Sequence, residues 1–136
     1  MLENKAEYTG LELNAIFGEK SLLNIDSDLN IKGISIDSRS VEPGNMFIAM
    51  NGENIDGHDK IADAVESGAS CIMASKDWFF ANADNIKNVS AVIVDDTLDG
   101  IGMLANYHRK RFSFPVIAVA GSNGKTTTKD FISYIL

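Results

Sequence analysis

One cysteine, two prolines and two histidines among 136 residues leave little room for several common site chemistries. Cys71 has no second cysteine to pair with, so an internal disulfide is excluded. Its place in the apolar run Cys71-Ile72-Met73-Ala74 marks a buried structural thiol rather than a nucleophile. His58 and His108 lie far apart, and neither has a second histidine at metal-ligand spacing. No apolar run approaches the ~18 residues of a membrane span. The opening MLENKAEYTG has no basic stretch leading into an apolar one, so the expected location is cytoplasmic. Cations are also scarce: 12 Lys and Arg face 19 Asp and Glu, a formal charge of −7. That balance argues against a nucleic-acid partner, and any polyanionic ligand must be held by local geometry and a few cations.

What is present is enough for one globular domain with a real core, at 45% hydrophobic residues, and too short for two full domains. Thr9-Gly10-Leu11-Glu12 has capping-box spacing ahead of Leu13, Ile16 and Phe17, which predicts a short helix ending at Gly18. Strands are expected at 33–37 and 46–50, joined through the turn residues Glu42-Pro43-Gly44-Asn45. A helix over 59–67 closes on Gly68. Further strands fall at 70–74 and 91–94, flanking a short helix over 76–83 whose Trp78, Phe79 and Phe80 read as packing residues. A long helix starts near Asp96-Thr97 and ends in His108-Arg109-Lys110-Arg111, where cations suit a helix C-terminus. Alternating strand and helix predicts an α/β fold with at least partly parallel pairing.

The richest stretch is PVIAVAGSNGKTTTKDFISYIL, residues 115–136. Its apolar run 115–120 reads as a strand buried on both faces. Gly121-Ser122-Asn123-Gly124 supplies backbone that turns tightly and aims several N–H groups at one place. Lys125 adds an ammonium, and Phe131, Ile132 and Ile135 recur at helical spacing, which puts the turn at a helix N-terminus that favours phosphate. Thr126 stands where a phosphate loop places a hydroxyl for Mg²⁺. The general pattern G-x-x-x-x-G-K-[ST] nevertheless fails by one residue, because position 119 is Val119.

Two polar clusters follow strands. Asp37-Ser38-Arg39 offers carboxylate, hydroxyl and guanidinium together, and residues 51–58, from Asn51 to His58, follow the next strand. Strand ends are where open α/β sheets bind ligands, yet these are also ordinary turn residues, and His58 could simply cap the following helix.

Taken together, DSRSVEPGNMFIAMNGENIDGHD, DTLDGIGMLANYHR and FPVIAVAGSNGKTTTKD resemble three successive signatures of the Mur ligases of bacterial cell-wall synthesis, over roughly residues 33–136. The loop and the helix before it look most like the MurF type, with the sister type that adds the third peptide residue (MurE) as the alternative. The family's loop has a two-residue gap between its glycines, which accounts for Val119. The resemblance implies an ATP- and Mg²⁺-dependent amide ligase that joins D-alanyl-D-alanine to UDP-N-acetylmuramoyl-tripeptide through an acyl phosphate. It implies that Gly121, Ser122, Asn123, Gly124, Lys125, Thr126 and Thr127 bind ATP, with Lys125 and Thr126 catalytic and Thr126 on the metal. It assigns the UDP end of the substrate to Ser38, Arg39, Asn51, Gly52, Glu53, Asp56 and His58.

On this reading residues 1–112 form the nucleotide-sugar domain and 113–136 open a truncated ATP-binding domain, inactive by itself. A self-contained phosphate-loop kinase would need a later acidic strand end, and only eleven residues follow Lys125. A stand-alone nucleotide-sugar module would not need the loop. The full-length parent is expected to be monomeric. Left without sheet neighbours, residues 115–136 are expected either to pack on the first domain through Val116, Ile117, Phe131 and Ile135 or to pair with a second copy.

Overall fold

A computed structural model describes residues 6–135 except 54 and 87, so Asn54 of the expected 51–58 loop lies outside the described residues. The capping box forms as the spacing requires. Thr9 Oγ1 accepts from the Glu12 amide at 3.3 Å and Glu12 Oε2 accepts from the Thr9 amide at 2.9 Å, opening α1 (Gly10–Phe17). Gly18, at φ +79°, ends it.

Three very short strands flank α1 in the chain, one before it and two after. β1 (Tyr8–Thr9) pairs antiparallel with β3 (Asn30–Ile31), and β2 (Leu22–Leu23) lies antiparallel on β7 (Ala91–Val94). The main sheet adds β4 (Ile34–Ser35), β5 (Met46–Ile48) and β6 (Cys71–Ser75). Its order is β2-β7-β6-β5-β4, parallel from β4 through β7. Between the strands run α2 (Ile61–Glu66) and α3 (Lys76–Asn82), and α4 (Thr97–Lys110) follows β7 with Asp96 as its N-cap.

The pleat divides the core in two. Met46, Ile48, Cys71, Met73, Val92 and Val94 face Leu13 of α1 and Leu104 of α4. Their alternating neighbours Phe47, Ile72, Ala74 and Ala91 face Ile61 and Ala64 of α2, with Trp78 and Phe79 of α3 packed alongside. The result is a helix–sheet–helix sandwich, and each fully buried Leu, Ile, Met or Val contributes roughly 1.5–3 kcal/mol. Phe80 is an exception to the expected packing role, being 75% exposed.

Residues 115–136 depart from expectation. The run 115–120 forms no strand, because no neighbouring strand lies beside it to take its backbone groups. Docking on the first domain through Val116, Ile117, Phe131 and Ile135 is not observed; these side chains are 58–79% exposed. The helix after the loop does form, as α5 (Lys125–Ile135). No helix among the described residues is long and apolar enough to cross a membrane.

Candidate functional site

The parallel strands end on one side of the sheet, and the loops leaving β4 and β5 wall an open cleft of about 540 Å³ there. Its lining includes Asp37, Ser38, Arg39, Gly52 and Gly57 with Ile36, Ile55, Lys60 and Asp63. Ser38 and Arg39, after β4, and Gly52, after β5, thus line one cleft. Lys60 was not singled out; as a lone lysine at the start of a helix it carries no sequence signal, and only the fold puts a second cation in this cleft.

Asp37 and Arg39 are locked together. The Asp37 carboxylate caps a single helical turn by accepting from the Arg39 amide at 3.0 Å. It also receives the guanidinium through Nε at 3.0 Å and Nη2 at 2.7 Å. The Arg39 hydrogen bonds, side chain first, pull the Asp37 carboxyl down to about 2. Arg39 Nη1 makes none of these bonds, and the residue is exposed, so the fork is held in place with a face turned to solvent. Lys60 Nζ sits 3.3 Å from Asp63 Oδ2.

The loop after β5 is organised around one carboxylate. Asp56 Oδ1 accepts from the His58 amide at 2.9 Å and lies 2.6 Å from His58 Nδ1. With its amide nitrogen turned to the carboxylate, Asn51 donates to the same oxygen at 2.6 Å. The bonds from His58, its amide first, hold the Asp56 carboxyl below the ordinary range. Backbone bonds Gly52 N–H to Ile55 O at 3.0 Å and Gly57 N–H to Met50 O at 2.8 Å close the loop. His58 is 3% exposed, and its Nε2 accepts from the Ser75 amide at 3.0 Å. Its proton therefore sits on Nδ1, facing Asp56. Asn51, Asp56 and His58 thus bond to one another and to the sheet, and Asn51 and His58 line a smaller cavity with Ser75 and Asp96, while Ser38, Arg39 and Gly52 line the cleft. Glu53 is exposed on the loop outside that lining.

The second expected site is the glycine loop. Gly121 and Gly124 adopt φ +150° and +74°, the region that glycine enters freely. Gly124 O accepts from the Thr128 amide at 2.9 Å, so Ser122, Asn123 and Gly124 precede a formed helix start with Thr126 and Thr127 in its first turn. Lys125 Nζ folds back onto the Gly121 carbonyl, which places the ammonium over the loop. The whole loop is exposed.

The family model for the Mur ligase family, catalytic domain, matches residues 30–109. The chain belongs to the Mur ligase family. Among curated Mur ligases it is 36% identical over 116 residues to a UDP-N-acetylmuramoyl-tripeptide–D-alanyl-D-alanine ligase of Synechocystis, covering 85% of this chain and 25% of that protein. It is 34% identical over 119 residues to a UDP-N-acetylmuramoyl-L-alanyl-D-glutamate–2,6-diaminopimelate ligase of Fusobacterium nucleatum, covering 86% and 24%. Among solved structures, the diaminopimelate–D-alanyl-D-alanyl ligase of Acinetobacter baumannii superposes with a TM-score of 0.79 at 29% identity, over 100% of this chain and 29% of that one. The MurF ligase of Thermotoga maritima in complex with ADP superposes with a TM-score of 0.64 at 32% identity, over 73% and 22%. The chain spans about a quarter of the length of the Mur ligases it matches.

Proposed function

We propose that this chain supplies the nucleotide-sugar-binding domain and the phosphate loop of an ATP-dependent amide ligase of peptidoglycan precursor synthesis. The reading is of the MurF type, which joins D-alanyl-D-alanine to UDP-N-acetylmuramoyl-tripeptide. The observation that carries it is the pairing, in one chain, of a cation-bearing cleft at the strand ends with a lysine-bearing glycine loop at a helix N-terminus. Arg39 and Lys60 offer donors to a diphosphate, and Ile36 and Ile55 offer apolar surface to a base.

When bound, ATP supplies the phosphoryl group that activates the tripeptide's terminal carboxylate as an acyl phosphate, leaving ADP, and the amine of D-alanyl-D-alanine displaces phosphate from it and gives up a proton as the amide forms. The chain's own contribution is positioning and charge neutralisation. The 121–124 amides and the α5 N-terminus receive phosphate oxygens, and Lys125 exchanges the Gly121 carbonyl for a phosphate. Thr126, in the first turn of α5, would offer its hydroxyl to a Mg²⁺ ion, which would offset phosphate charge. Among the described residues no cluster of three or more His, Cys, Asp or Glu could hold a metal by itself.

In the complete ligase, Lys125→Ala is expected to cut ligation by about 100-fold or more, while nucleotide-sugar affinity stays unchanged. Near-normal phosphate release from that variant would contradict the reading. The similarity to ligases named for 2,6-diaminopimelate supports a second reading, addition of the third peptide residue. Offering the enzyme dipeptide with diaminopimelate against tripeptide with D-alanyl-D-alanine separates the two.

A further inference from the structure

At the junction between the sheet domain and the phosphate loop, Arg111 reaches back to the Glu7 carbonyl at 2.7 Å and to Glu12 Oε1 at 2.9 Å, while Arg109 reaches forward. α4 closes with backbone bonds from Arg111 N–H to His108 O at 3.1 Å and from Phe112 N–H to Arg109 O at 3.2 Å. The Arg109 side chain then reaches forward along the departing chain. Its Nη1 donates to the Phe112 carbonyl at 2.9 Å and its Nη2 to the Phe114 carbonyl at 3.0 Å. The guanidinium also lies 5.2 Å from the centre of the Phe114 ring. Phe114 packs on Phe112 at 5.2 Å, and Phe112 packs edge-on to His108 at 5.1 Å. His108, Arg109, Phe112 and Phe114 therefore form one closed cluster in which a planar fork bridges two carbonyls on either side of Ser113.

Past this cluster the attachment thins out. Val116 and Ile117 are 62% and 58% exposed, and Phe131, Tyr134 and Ile135 of α5 more so. The direction in which the chain leaves Phe114 thus contributes to where Gly121 and Lys125 lie relative to the cleft of Arg39 and Lys60.

We propose that Arg109 is a latch that fixes the bearing of the phosphate-loop segment on the sheet domain, and so acts as a positioning residue for phosphoryl transfer between ligands held by the two parts. The latch needs a fork. Five donors in one plane let arginine hold two carbonyls and one ring at once, whereas the lysine ammonium is a point charge that cannot keep all three. The catalytic consequence rests on the ligase reading, since only a reaction between two separately held ligands is sensitive to that bearing. Misplacement by about 1 Å costs on the order of 100-fold in rate. In the complete ligase, Arg109→Lys is expected to lower kcat at least about 10-fold with KM for nucleotide-sugar and ATP within about twofold.

The latch itself is tested without substrate. Glu66→Cys on α2 and Lys129→Cys on α5 are both exposed and can be spin-labelled selectively because Cys71 is buried. Pulsed-EPR distances in the full 136-residue chain are expected to give one narrow distribution with Arg109 present and a distribution at least about twice as broad in Arg109→Ala, with Arg109→Lys between. Thermal melting of the sheet domain should be unchanged. Should Arg109→Ala melt early, Arg109→Lys, which keeps the charge and most of the stem, carries the same reading. An unbroadened distribution in a folded variant overturns the latch. A broadened distribution combined with unaltered kcat leaves the latch standing and removes its role in transfer, which separates its failure from that of the ligase reading.

Discussion

The Nε2 of His58 accepts the backbone N–H of Ser75 at 3.0 Å, tying the loop after β5 to the end of β6 across the top of the sheet. With Nδ1 on Asp56, both ring nitrogens are engaged within the fold. His58→Ala leaves the Ser75 amide and the Asp56 carboxylate without this partner. It is expected to lower stability by about 1–3 kcal/mol. Urea unfolding of the variant and the parent, compared at equal m, measures this.

Arg39 sets the acid behaviour of Asp37. The folded carboxyl titrates at about 2, below its ordinary 3.8, so the pair's contribution is present above that ordinary value and is lost as pH falls towards 2. In Arg39→Ala the carboxyl is expected to rise back towards 3.8. Carbon NMR titration of the Asp37 side chain reads this directly, and an unmoved midpoint would show that Arg39 is not the cause.

Gly57 is required by close approach. A Cβ there would meet the Met50 carbonyl oxygen at 2.6 Å and the Met50 nitrogen at 2.7 Å, both backbone atoms that cannot step aside. Gly57→Ala is expected to cost about 1–3 kcal/mol and to weaken nucleotide-sugar binding, because the loop that walls the cleft must move. Chemical denaturation and calorimetry on the same preparation test both halves.

Cys71 is fully buried between β5 and β7, and burial pushes its thiol up to about 12. Iodoacetamide at pH 8 is therefore expected to leave the native chain unmodified and to alkylate it once urea unfolds the sheet.

The parts of the fold that could be read from sequence are those whose cause is local. The Thr9–Glu12 box, the Gly18 and Gly68 stops, the helix start near Asp96-Thr97 and the apolar strands read over 70–74 and 91–94, observed at 71–75 and 91–94, each carry their signal within a few residues. β1, β2 and β3 do not: two residues each, they exist because Tyr8 and Ile31 lie opposite each other and Val92 lies opposite Leu22. The same distinction runs through the site. Turn chemistry alone leaves Ser38, Arg39 and Gly52 ambiguous and it is the family resemblance that names them, while which of 51–58 would face the cleft and which would brace it depends on Ser75, far along the chain. The segment 115–120 reads as a strand because its composition is that of one. Without a paired neighbour, composition is not enough.

The most direct test is titration calorimetry of this chain with UDP-N-acetylmuramoyl-tripeptide and with ATP. The nucleotide-sugar is expected to bind more tightly than ATP, Arg39→Ala to weaken it by about 10-fold through loss of charged donors, and Lys125→Ala to leave it unchanged. Tighter binding of ATP, or nucleotide-sugar affinity indifferent to Arg39, would contradict the assignment of the cleft.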